Sequence, residues 1–216
     1  MPRSTYHHGN LKQALVDATV GLIEEKGPLA FTLTEAARRA GVSAAAPYRH
    51  FASRDDLLAE VARQGFVEFT ERLEAAHAQG DPHPVVAIQR LGTAYLLFAQ
   101  QRPGLYMAMF ESGSNALDGE RTSAEAQHAY QILYRAADAL FQGVEVSQRV
   151  STSLVANHFW SISHGIVELF TRGAPIQARD LTAEQMLASA GEIYFRGLGV
   201  MPEGGLPDAE TDPARD

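Results

Sequence analysis

Each stretch of this chain long enough to form an element repeats its apolar residues at spacings of three and four, and glycine or proline closes it. Such spacing marks one face of an α-helix, while the Val/Ile/Thr alternation of strands is nearly absent. Leu11, Leu15, Ala18 and Leu22 set the pattern, with Asn10 placed as an N-cap and Gly27-Pro28 as the stop. Thr32-x-x-Glu35 is a capping box, in which each side chain satisfies an orphan backbone donor. Ser53-x-x-Asp56 is an acidic version of it, and Thr122-x-x-Glu125 and Thr182-x-x-Gln185 repeat it. These signals predict an all-α fold of about nine helices. The expected spans are 11–26, 32–40, 44–51, 53–79, 84–101, 105–110, 122–143, 147–172 and 182–197. The run Gly80-Asp81-Pro82-His83-Pro84 and the segment 112–121 read as breaks. The tail 199–216, which from Met201 on holds three prolines, two glycines and five acids with little apolar content, is expected to be a disordered acidic segment.

Composition narrows the chemistry. There is no cysteine among the 216 residues, so disulfides, thiolate zinc sites and a cysteine nucleophile are excluded. No apolar run approaches the roughly 18 residues of a membrane span, and residues 1–10 show no secretory pattern, so a cytoplasmic protein is expected. The net charge of −8 is uneven. Residues 1–60 carry seven Lys/Arg and seven Asp/Glu, and the whole excess of acid lies beyond them. An acidic protein relieved of negative charge at one end can still meet a polyanion. No glycine-rich phosphate loop, nucleophile elbow or HExxH occurs, and His158 and His164 are six apart on different helix faces, so no enzyme, cofactor or metal is expected.

Residues 32–51 read Thr-Leu-Thr-Glu-Ala-Ala-Arg-Arg-Ala-Gly-Val-Ser-Ala-Ala-Ala-Pro-Tyr-Arg-His-Phe. A short helix, the turn Gly41-Val42-Ser43 and a second short helix make a helix-turn-helix, or an ordinary helical hairpin of the same spacing. Gly41 supplies the left-handed geometry of the turn, and Ala36, Ala37 and Ala40 let the helices cross closely. The run from Tyr6-His7-His8-Gly9-Asn10 to Tyr48-Arg49-His50-Phe51 and Ser53-Arg54-Asp55-Asp56-Leu57-Leu58 resembles, over about 60 residues, the DNA-binding domain of the TetR family of repressors. The resemblance implies that Thr32 and Thr34 meet phosphate at a helix amino end and that Tyr48 and His50 are a phosphate-contacting pair. Arg54 stands where the family commonly has lysine. Ser43, Ala44 and Ala45 would face base edges, with Arg38 and Arg49 as additional contacts or as solvated helix faces. Alanine offers only apolar contact, so base reading would lean on Arg49, Thr34 and DNA shape. His7-His8 has no third ligand and reads as an arm rather than a metal site.

The expected helix 147–172 would be about 39 Å long at 1.5 Å per residue. It is apolar on more than one side, through Val155, Phe159, Ile162, Ile166 and Leu169 on one stripe and Leu154, Trp160, Val167 and Phe170 off it. With the last helix it could fill a monomer core or pair with a second copy as a four-helix dimer interface. Trp160-x-x-x-His164-Gly165 resembles the signature of the WHG type of carboxy-terminal domain in the same family. Tyr95 and Phe98, Tyr106 and Phe110, and Tyr130 and Tyr134 each share a helix face. Such rings serve either as core or as the wall of a small-molecule pocket, which would give the tyrosine hydroxyls partners. Trp160 and His164 join them as candidates, with a structural histidine as the other reading of His164. The expected organisation is a helix-turn-helix domain at 1–52, a ligand-binding and dimerisation domain at 53–198 and the tail at 199–216. The resemblance implies a repressor that binds a double-stranded DNA operator as a homodimer through its last two helices and responds to a small-molecule effector. A ligand-independent DNA-binding or scaffold protein is the alternative.

Overall fold

A computed structural model describes residues 11–78, 83–112, 120–145, 149–171 and 181–202. They form eight α-helices and one 3-10 turn, with no strand among the described residues. The helices are α1 (Leu11–Lys26), α2 (Leu33–Arg39), α3 (Arg54–His77), α4 (Pro84–Gln101), α5 (Pro103–Phe110), α6 (Glu120–Ala139), α7 (Thr152–Thr171) and α8 (Ala183–Leu198), and the 3-10 turn is Pro47–Arg49. The expectations at Asn10, His7-His8, 79–82, 113–119, Ser147 and the tail from 203 lie outside the described residues.

The capping chemistry is largely as the sequence dictates. Thr32 and Thr182 each close a full box, with the hydroxyl accepting from the backbone of Glu35 or Gln185 and the longer side chain accepting in return. Ser53 and Asp56 do the same at 3.1 Å in both directions. The start expected at Thr122 lies further upstream: α6 begins at Glu120, so Thr122 falls inside its first turn. Helix α7 begins at Thr152 and not at 147, because residues 149–151 are irregular. Helix α5 begins two residues earlier than expected, with Pro103 in its first turn, where a missing N–H costs nothing.

The described residues group into two compact units. The first draws on Met1–Glu68 and Arg102–Gln127, the second on Phe69–Gln101 and His128–Asp216. In the first, α1 packs against α2 and α5. Its core holds Leu15, Ile23, Phe31, Leu57 and Phe66, and Phe66 meets Phe110 edge-on at 5.7 Å. In the second, α4 packs against both α7 and α8, which also pack on each other. Phe98 lies against Phe69 there, and Phe159 stacks on Phe195 at 4.9 Å.

A charged network ties α1 to α3 within the first unit. Glu60 accepts from Lys12 at 3.1 Å, from Arg63 at 3.0 Å and from Gln64 at 3.0 Å. Gln13 and Gln64 bond each other in both directions. Burial pushes the Glu60 carboxyl up, but the bonds from Arg63, Gln64 and Lys12 outweigh it and hold it at about 2. A carboxyl held below its unfolded value stabilises the fold above that value and loses the contribution as pH falls toward the folded one. Glu60→Gln is therefore expected to cost about 1–2 kcal/mol at neutral pH after solvent screening. Urea unfolding should show the gap to the parent closing between about pH 4.5 and pH 2. A gap independent of pH would contradict this assignment.

Candidate functional site

The turn after α2 is fixed by backbone geometry. Ala40 ends the helix and Gly41 takes φ 72°, where a side chain would be strained. The Gly41 N–H donates to Arg38 O at 3.1 Å and the Val42 N–H to Ala37 O at 2.9 Å, a Schellman closure. The next segment differs from expectation. The α-helix expected over 44–51 is a run of tight turns: Ala46 N–H donates to Ser43 O, Arg49 N–H to Ala46 O and His50 N–H to Pro47 O. Pro47 has no N–H to reach Ser43, so the i to i−4 ladder cannot pass through it. Phe51 N–H still donates to Pro47 O at 2.9 Å, and the Phe51 ring is buried and anchors the segment.

The segment turns its polar side to solvent. Thr32, Thr34, Arg38, Ser43, Ala44, Ala45, Arg49 and His50 are all exposed, and Tyr48 is 61% exposed although its neighbour Pro47 is buried. Thr32, Thr34, Tyr48, Ser53, Arg54 and Leu29 line a shallow groove of about 480 Å³. The structure thus gathers both threonines, the tyrosine and Arg54 at one place. It also commits some of them. The Thr32 hydroxyl accepts from Glu35 N and donates to a Glu35 carboxylate oxygen, so it serves the cap. Hydrogen bonds from Lys26, then Thr32, hold the Glu35 carboxyl below its usual range. Arg54 donates to Leu29 O at 2.8 Å and to Asp55 at 2.6 Å and 2.9 Å. Arg38 and Arg49 make no ion pair among the described residues, which leaves them as the cations of this surface not already matched by an acid.

The second unit encloses a small cavity of about 30 Å³ between α3, α4, α6 and α7. A water needs at least ~10–15 Å³, so the space holds about two. Tyr95, Leu91, Leu73, Trp160, Ser163 and Phe159 are among its walls, and no described residue lining it is charged. Tyr95 is buried, and its hydroxyl shares a 2.9 Å hydrogen bond with Nδ1 of His164. Trp160 packs on the Tyr130 ring at 5.8 Å, and Asn157 donates to the Tyr130 hydroxyl at 3.0 Å. Of the residues singled out in the sequence, Tyr95 and Trp160 line the cavity, while His164 and Tyr130 support them from behind. Phe98 is fully buried against Phe69, and Tyr134 is half-buried and not a wall. Tyr106 and Phe110 pack on each other at 5.0 Å in the first unit and do not join the cavity. Phe69, Leu73 and Phe159 are walls that sequence reasoning did not pick. Phe159 was the most legible of these, as the neighbour of Trp160.

A helix-turn-helix with a solvent-facing second arm, carried on an all-helical chain with a separate helical unit, defines a DNA-binding transcriptional regulator. Residues 15–61 match the family described as bacterial regulatory proteins, tetR family, and residues 88–190 match the tetracyclin repressor-like C-terminal domain. The HTH-type transcriptional regulator BetI of Rhizobium meliloti (strain 1021) is 28% identical over 165 residues, covering 67% of this chain and 81% of that protein. A protein of unknown function from Rhodococcus sp. RHA1 has the same fold, with a TM-score of 0.74 at 25% identity over 90% of this chain and 98% of that one. The TetR family transcriptional regulator PfmR from Thermus thermophilus superposes with a TM-score of 0.65 at 21% identity, over 84% of this chain and 97% of its own. The chain belongs to the TetR family of transcriptional regulators.

Proposed function

We infer that this regulator is a homodimeric repressor that a small apolar or mildly polar molecule releases from a palindromic operator. The observation that carries the DNA-binding part is the exposed row Ser43, Ala44, Ala45, Tyr48, Arg49 and His50, set on a turn locked by Gly41. In this reading the DNA-binding domain is 1–52, the ligand-binding and dimerisation domain is 53–198 and its place of action is the cytoplasm, where the DNA lies. No described helix is long and apolar enough to cross a membrane. Tyr48, His50 and Thr34 meet phosphates, Ser43, Ala44 and Ala45 lie along base edges, and Arg38, Arg49 and Arg54 add positive charge.

The dimer surface in this reading is the outer face of α7 and α8. Leu154 is 54%, Leu169 49% and Ile193 71% exposed, more apolar surface than a solvated helix pair calls for. Ser161 and Gly165 lie between the two leucines on α7, and a Cβ at Gly165 would meet open space. Ile193→Glu is expected to shift the protein toward monomer in sedimentation, and an unchanged dimer would move the interface elsewhere.

The ligand response is supported by the charge-free cavity behind Tyr95 and Trp160. A specific observation favours the other reading, of a ligand-independent DNA-binding protein: the cavity holds only about 30 Å³. The test is DNA binding by the parent and by Tyr48→Ala at several salt concentrations. The variant is expected to bind all duplexes about tenfold more weakly at every salt concentration, with the salt slope unchanged, because a neutral hydroxyl displaces no counterion. Unchanged affinity would remove Tyr48 from the interface.

A further inference from the structure

The cavity of the second unit has a neighbour. A groove of about 700 Å³ runs between α4 and α8, and the two spaces share Ile88, Gly92 and Phe159 as walls. The partition at this point is thin. Gly92 has no side chain, and Leu187 of α8 fills its place, lying 3.1 Å from where a Cβ would stand. Ile88 is fixed in the core at 1% exposure. Phe159 is held by ring contacts, stacked on Phe195 at 4.9 Å and edge-on to Tyr194 at 5.1 Å. A phenyl ring has no polar atom, so swinging it aside leaves no broken hydrogen bond behind it.

We propose that the cavity binds the apolar end of an uncharged small molecule, a hydrocarbon chain or an aromatic ring, which enters from the α4/α8 groove by displacing Phe159. This rests on the reading that the regulator responds to a ligand. Size requires the displacement: a dry cavity of ~150 Å³ takes benzene, several times the space present when Phe159 is in place. Charge selects the occupant. None of the described walls carries a formal charge, and an ionised group left there without a partner would cost several kcal/mol. The polar groups of the wall are neutral as well, the Tyr95 hydroxyl already bonded to His164, the Ser163 hydroxyl and the Trp160 indole N–H, and none of them can balance an ionised group. The groove side carries Gln89, Arg90, Thr93 and Glu184, where the polar end of the molecule stays in contact with water.

The chain supplies its own reporter, since Trp160 is its single tryptophan and lines the cavity. The full-length protein is titrated with the neutral dye N-phenyl-1-naphthylamine while Trp160 fluorescence is followed. Saturable quenching is expected. 1-Decanol is expected to displace the dye, and decanoate at pH 8 to do so roughly tenfold less well or worse. Phe159→Ala should speed dye association by about tenfold, since an opening step is removed. If that variant does not fold, Phe159→Leu, which keeps an apolar plug of smaller reach, should show the same change in part. Absence of saturable quenching overturns the site, equal competition by decanoate overturns the ligand class, and unchanged association in a folded Phe159 variant overturns the route. DNA binding is read on the same samples. Dye bound without release of DNA leaves the cavity assignment standing and rejects the ligand-responsive reading. Release of DNA by a compound that leaves Trp160 unquenched does the reverse.

Discussion

Gly104→Val is expected to lower the stability of the chain by about 3 kcal/mol. Gly104 lies in the first turn of α5, where that helix crosses α1 inside the first unit. A Cβ at this position would stand 2.7 Å from the Val20 carbonyl oxygen, 2.8 Å from Val20 Cγ1 and 2.9 Å from Glu24 Cγ. The nearest of these is backbone, which cannot turn away as a side-chain end can. Relief would require moving α1, whose Leu15, Leu22 and Ile23 are locked in the core. The crossing also seats a hydrogen bond from the Gly104 N–H to the Glu24 carboxylate at 3.2 Å. Gly197→Ala is the contrasting case: nothing lies within 4 Å of the added Cβ, and the same unfolding measurement should show no loss, with a gain of up to ~1 kcal/mol from helix propensity. Equal midpoints for Gly104→Val and the parent would mean that α1 and α5 do not pack as closely as described.

Ala45→Glu is expected to weaken DNA binding by roughly a hundredfold while leaving the unfolding midpoint alone. Ala45 is exposed, so the fold has no stake in its side chain. It follows Ser43 and Ala44 in the segment held between the Gly41 turn and buried Phe51. In the proposed docking this segment faces the groove of the duplex, and a carboxylate there would meet a polyanion with no cation arranged to receive it. Arg49, the nearest cation in the segment, is itself needed for the duplex. Fluorescence anisotropy on a labelled operator at fixed salt measures the effect. Affinity equal to the parent's would place residues 43–45 away from DNA.

How far the sequence could be read depended on the range over which each signal acts. The helix-turn-helix was legible because its determinants are neighbours: the Thr32/Glu35 box, three small alanines, Gly41 with positive φ, and Phe51 as plug. The box at Thr182 and its acidic version at Ser53 also held, since a cap involves only four residues. Thr122-x-x-Glu125 carries the same letters but falls within a helix that starts upstream, so the motif marks a possible start and does not enforce one. The expected second helix of the motif gave way to 3-10 turns because one missing donor, at Pro47, outweighs good helix formers on either side. The cavity was only half legible. Tyr95 and Trp160 lie on long apolar helices and stood out, and the Tyr95–His164 bond joins residues 69 positions apart that no spacing rule connects. Tyr106 and Phe110 have the same helical spacing as Tyr130 and Tyr134, yet the two pairs fall in different compact units. Periodicity identifies a buried face without saying what it is buried against. Phe69 and Leu73 were missed for the same reason: they occupy the later part of α3, whose earlier residues belong to the first unit.

Selection from a pool of randomised duplexes asks whether the proposed symmetric dimer reads DNA sequence. The purified protein is mixed with the pool at near-physiological salt, and bound duplexes are recovered and sequenced over several rounds. Enrichment is expected of an inverted repeat whose half-sites lie about 34–36 Å apart, or a multiple of that, bound by two chains per duplex. The enriched site should outcompete bulk DNA by at least about a thousandfold. A pool that stays random after selection, with binding that fades alike for all duplexes as salt rises, would contradict the proposal.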